Sequence, residues 1–71
     1  MYKPGDFIEY IYSDETIIFR INRLNLGNYV LVSLNDGINL ELSTSWVHKH
    51  MRLSPVYNRK VFKYIANRQL D

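Results

Sequence analysis

The first half of the chain alternates between apolar and polar positions at the period of an extended strand. From Phe7 to Tyr12, Ile8, Tyr10 and Tyr12 share one face and Glu9 points the other way. Thr16 to Asn22 repeats the pattern, with Ile17, Phe19 and Ile21 on one side and Ile18, Arg20 and Asn22 on the other. Its β-branched residues favour strand over helix. A third strand runs from Tyr29 to Leu34, where the polar Ser33 puts Val30, Val32 and Leu34 on the inward face. In a fourth, Ile38, Leu40 and Leu42 alternate with Asn39 and Glu41.

Turn chemistry separates these runs. Lys3-Pro4-Gly5-Asp6 is an opening turn, and Ser13-Asp14-Glu15 is a polar reversal. Leu24-Asn25-Leu26-Gly27-Asn28 breaks the alternation, with Leu24 or Leu26 expected to cap the core. Asn35-Asp36-Gly37 predicts a tight hairpin. After the polar link Ser43-Thr44-Ser45 two readings stand open: a short 3₁₀ turn at Trp46-Val47, or a fifth strand over about Val47 to Leu53. Ser54-Pro55 then starts a helix, with Ser as N-cap and Pro at the first position, expected to run to about Gln69. On that helix Tyr57, Val61, Phe62 and Ile65 form an apolar arc that must cover the sheet, opposite Arg59, Lys60, Lys63 and Asn67.

The predicted architecture is therefore one mainly β domain over residues 1–71, with strands within about 7–53 and one C-terminal helix over about 55–69. A short, strongly twisted antiparallel sheet of five strands tends to close into a small barrel. Lys3-Pro4-Gly5-Asp6-Phe7-Ile8-Glu9-Tyr10 resembles the opening strand of SH3-like barrels, as do the Asp36-Gly37 hairpin and the short turn before a fifth strand. The resemblance covers roughly residues 3 to 55 and identifies no specific family; the terminal helix departs from it. It implies a five-stranded SH3-like barrel plus helix. Such folds mostly bind peptides, nucleic acids or other proteins rather than catalyse.

Size sharpens this expectation. At 71 residues and 8.5 kDa, nearly every apolar side chain is needed for one core. There is no cysteine, hence no disulfide and no Cys-based zinc site. Nothing at the start reads as a leader, and the longest apolar run is Tyr29-Val30-Leu31-Val32, so the cytoplasm is the expected compartment, with no membrane partner. Phe, Tyr, Met, Ile, Asn and Lys, with AT-rich codons, supply 29 residues, against 11 from Gly, Ala, Arg and Pro. That bias points to a low-GC bacterium or one of its phages or plasmids.

The net charge of +2 hides a split. Residues 1–47 sum to −3 and residues 48–71 to +5. Lys49, Arg52, Arg59, Lys60, Lys63 and Arg68 form the basic set, expected to contact a partner or phosphates, or else to be a solvated face. Tyr10, Tyr57 and Trp46 are read as core residues, whereas Tyr12, Tyr29 and Tyr64 are expected to be exposed and available for aromatic contacts. His48-Lys49-His50 would share one face on a strand, but a metal site needs a third ligand that the sequence does not supply, so no metal or cofactor is expected. No nucleophile elbow, P-loop, dinucleotide fingerprint or zincin helix is present, and no catalysis is expected. The leading expectation is a small non-enzymatic module that binds and modulates a partner protein. The alternative is a DNA- or RNA-binding protein that uses the basic C-terminal helix.

Overall fold

The alternating runs form an all-antiparallel sheet in the computed structural model, which describes residues 1–58. Strands β1 (Phe7–Tyr12), β2 (Glu15–Asn25), β3 (Asn28–Ser33) and β4 (Asn39–Ser43) follow one another as a meander. A helix, α1 (Thr44–His50), then crosses one face, and the two-residue strand β5 (Arg52–Leu53) returns to pair with β1. The strand order is β4-β3-β2-β1-β5. The edges β4 and β5 do not pair with each other, so the sheet is open and the expected barrel closure is not seen.

The turns follow from local chemistry. Lys3 N–H donates to Asp6 Oδ2 (2.9 Å) and Asp6 N–H to the Lys3 carbonyl (3.0 Å), closing the opening turn. Tyr12 and Glu15 pair across Ser13-Asp14, with Ser13 at φ 49°. An equally short reversal joins Asn25 to Asn28 across Leu26 (φ 50°) and Gly27 (φ 82°), the sign pattern of a type I′ turn. The predicted hairpin at Asn35-Asp36-Gly37 is present, but as a four-residue loop, 34–37: Ser33 N–H donates to the Ile38 carbonyl, and Gly37 N–H to the Ser33 carbonyl. Gly37 supplies the positive φ (75°), and Asp36 Oδ1 accepts from Ile38 N–H.

Register settles which side is inside. Ile8 pairs with Phe19, Phe19 with Ser33, and Ile21 with Leu31, which puts these residues on one face. Ile8, Phe19, Ile21, Tyr29 and Leu31 form its core, closed over by Val47 and Met51 from the helical side. The third strand is thus in the opposite phase from that expected. Tyr29, Leu31 and Ser33 are buried, Val30 and Val32 are half-buried on the other face, and Leu34 is exposed. Ser33 tolerates burial because its Oγ accepts the Asn35 N–H (3.2 Å). Between Ile21 and Arg23 the pairing slips by one residue, a β-bulge at Asn22. The bulge lets β2 run on to Asn25, past the break expected at Leu24. Leu26 is 96% exposed and caps nothing, and Leu24 is also exposed.

Helix α1 takes the place of the link expected at Ser43-Thr44-Ser45 and of the 3₁₀ turn at Trp46-Val47, and of the fifth strand expected over about Val47 to Leu53 only Arg52–Leu53 forms. Ser43 is its N-cap, its Oγ accepting from Trp46 N–H (3.2 Å). Val47 and Met51, four residues apart, supply the buried contacts, and His48, Lys49 and His50 lie in the last turn, where positive charge suits the helix dipole. Beyond β5 the helix start at Ser54-Pro55 is as read. Residues 55–58 are helical, Asn58 N–H donates to the Ser54 carbonyl (3.2 Å), and Ser54 Oγ lies 3.5 Å from Tyr57 N. The rest of that helix, to Gln69, lies outside the described residues. No described helix is long and apolar enough to cross a membrane.

Candidate aromatic interface

Alternation on β1 sends Tyr10 and Tyr12 to the side that carries α1, and helical spacing puts Trp46 and His50 one turn apart. The result is a strip of four rings in successive contact. Tyr12 stacks beside Tyr10 (centroids 6.4 Å, planes 20° apart), Tyr10 meets Trp46 (5.8 Å), and Trp46 meets His50 (4.5 Å). Tyr12 is 64% exposed and Trp46 39%, Tyr10 is half-buried, and His50 is exposed. Trp46 is thus not the core residue it was read to be. Tyr57 is also outside the core, its ring 5.7 Å from that of Phe7.

Tyr29 is corrected in the other direction. It is fully buried, and its hydroxyl lies 2.7 Å from His48 Nε2 and accepts the Tyr2 N–H at 3.0 Å. The inward phase of β3 puts it there, so it offers no surface for stacking. Its partner His48 also stands edge-on to Tyr2 (5.0 Å). On a helix, residues two apart diverge, so His48 goes to the Tyr29 cluster and His50 to Trp46. The shared face that a His48–His50 metal pair requires is not formed. Among the described residues no three His, Cys, Asp or Glu side chains cluster as metal ligands.

The basic set divides as well. Lys49 is exposed on α1. Arg52 is committed to Glu9: its Nε and Nη2 each lie 2.7 Å from Glu9 Oε2, a carboxylate that is itself buried. Arg59, Lys60, Lys63 and Arg68, with Tyr64, lie outside the described residues. The Glu9–Arg52 pair lines a shallow hollow of about 460 Å³ with Thr16, Ile18 and residues 54–57 on the face opposite α1. The carboxylate and guanidinium there satisfy one another.

Sequence reasoning missed Trp46 as a surface group and did not join His50 or the core-packed Tyr10 to it. The signal was the four-residue spacing of Trp46 and His50 beside that of Val47 and Met51, legible once Ser43 is read as an N-cap. In comparisons with protein-family models, curated proteins and solved structures, no match to this chain was found.

Proposed function

We propose that this protein is a small non-catalytic module that binds an extended segment of a partner protein along the strip Tyr12, Tyr10, Trp46 and His50. The observation that carries this reading is the unbroken contact of those four rings across β1 and α1, with both ends exposed. Rigid aromatic rings give large contact area at low entropic cost and are favoured anchors for apolar or proline-containing peptides. The adjoining backbone supports it. β5 pairs only with Ile8 and Glu9, so Tyr10 to Tyr12 carry no strand on that side among the described residues. Ser54 N–H donates to the Phe7 carbonyl there, and by alternation Ile11 turns its own N–H and carbonyl the same way. A peptide can therefore extend the line of β5 while its side chains meet the rings.

The fold reading agrees with such a role. The meander whose last strand returns to the first, with a helical turn before it, supports an SH3-like architecture in an opened form. Charge favours protein over nucleic acid at this surface. Residues 1–58 carry five basic and six acidic side chains, which gives no excess of phosphate-binding groups around the strip.

The test is selection of peptides from a displayed library against the whole chain. Enriched peptides should change the emission of Trp46 and lose at least about tenfold in affinity on Tyr12→Ala, the loss expected of an interface anchor. Failure to enrich any peptide, together with single-stranded DNA or RNA binding that weakens steeply as salt rises from about 50 mM, would replace this reading with the nucleic-acid one.

A further inference from the structure

Strand β4 is a short free edge among the described residues, with Glu41 as its one charge. Asn39–Ser43 pairs with β3 on one side and with no described strand on the other. Edges are normally blunted by lysine, proline or a bulge. This one has none of these, and its apolar side chains protrude: Ile38 is 55% exposed and Leu40 38%, while Leu42 packs half-buried against the core.

The hydrogen-bond phase fixes what the edge offers. Ser33 N–H donates to the Ile38 carbonyl, and Thr44 N–H to the Gly27 carbonyl, so the even-numbered residues of this stretch bond toward β3. The odd ones, Asn39, Glu41 and Ser43, turn their N–H and carbonyl groups outward. Only pairings that match these groups are allowed.

We propose that β4 pairs antiparallel with β4 of a second copy, centred on Leu40. This register sets Leu40 against Leu40 and Ile38 against Leu42, which continues the apolar face of each sheet across the junction. It sets Asn39 against Glu41 of the second copy on the other face. The neighbouring register, centred on Glu41, would oppose two carboxylates and is disfavoured. Glu41 is already prepared for an amide. Its Oε2 accepts from Asn25 Nδ2 (3.2 Å) and Asn28 Nδ2 (2.9 Å), and among the described residues Oε1 has no partner, so it is the acceptor left for Asn39. The pairing forms about four backbone hydrogen bonds across the two-fold axis. It joins two five-stranded sheets into one, with an aromatic strip toward either end.

The proposal is independent of what the strip binds. Sedimentation equilibrium of the full chain over a concentration series tests it, with circular dichroism to confirm folding of each variant. A reversible dimer is expected. Leu40→Lys should abolish it and Asn39→Glu should weaken it about tenfold, whereas Asn39→Lys, which faces Glu41, should tighten it. Trp46→Ala should leave it unchanged. A monomer at about 1 mM, the weak limit of specific association, overturns the proposal. So does a dimer indifferent to the Leu40 and Asn39 changes. Tightening by Asn39→Glu would overturn the register.

Discussion

Leu26 occupies the first central position of the β2–β3 turn with φ 50° and a side chain almost wholly in solvent. A residue with a Cβ in the left-handed region costs roughly 1–2 kcal/mol relative to its ordinary conformation, because Cβ crowds the following carbonyl oxygen. Asparagine tolerates that region far better, and Asn-Gly is the preferred pair for this turn. Leu26→Asn removes no buried contact, so the gain is close to the strain relieved, about 0.5–1 kcal/mol after the residual penalty on Asn. For a chain of this size that is a rise in Tm of roughly 2–8 °C. Thermal and urea melts at one low protein concentration measure it. Leu26→Ala is the control: it removes the exposed isobutyl group but keeps Cβ, so its stability should stay within about 0.5 kcal/mol of the parent. A destabilised Asn variant, or an Ala variant that gains as much as Asn, would refute the argument from backbone strain.

Other outcomes follow from buried groups. Tyr29→Phe strips the hydroxyl that receives the Tyr2 N–H and meets His48, and should cost about 1–2 kcal/mol in urea unfolding. Val47→Ala opens a gap where α1 meets the sheet and should cost about 2 kcal/mol, from two lost methyl groups and the void they leave. The Glu9–Arg52 pair should respond asymmetrically. Arg52→Ala leaves a buried carboxylate unpaired and should destabilise by about 1–3 kcal/mol, whereas Glu9→Gln releases an Arg that is already largely in water and should cost about 1 kcal/mol or less. Equal losses in the two variants would show that Glu9 is better solvated than its burial implies.

The sequence made the strands legible where alternation and turn residues agreed. Phe7–Tyr12 was placed with its observed bounds, and the opening turn, the Asn35–Gly37 loop and the Ser54-Pro55 helix start were read from residues whose conformational preferences are strong. It misled where two local rules conflicted. Ser33 looked like an outward position, but one hydroxyl bonded to the next amide is cheap to bury, and the pairing of Ile21 with Leu31 overrode it. Nothing in the pattern marks Asn22 as a bulge, because the extra residue shows only when β2 and β3 are paired. Thr44-Ser45 read as linker because polar and β-branched residues are weak helix formers, and a seven-residue helix is held by its cap and by Val47 and Met51 rather than by propensity. The aromatic strip depended on that helix and so was hidden with it, although Tyr12 was identified as exposed.

Trp46 is the only indole in the chain, and it lies inside the ring strip against Tyr10 and His50. The molecule therefore carries an intrinsic optical probe at the surface where a partner is expected, and no label need be attached. Selective excitation near the red edge of protein absorption would follow occupancy of that surface in the presence of all six tyrosines. A binding isotherm and a self-association isotherm can then be recorded on the same unmodified sample by two separate signals, emission for the first and mass for the second.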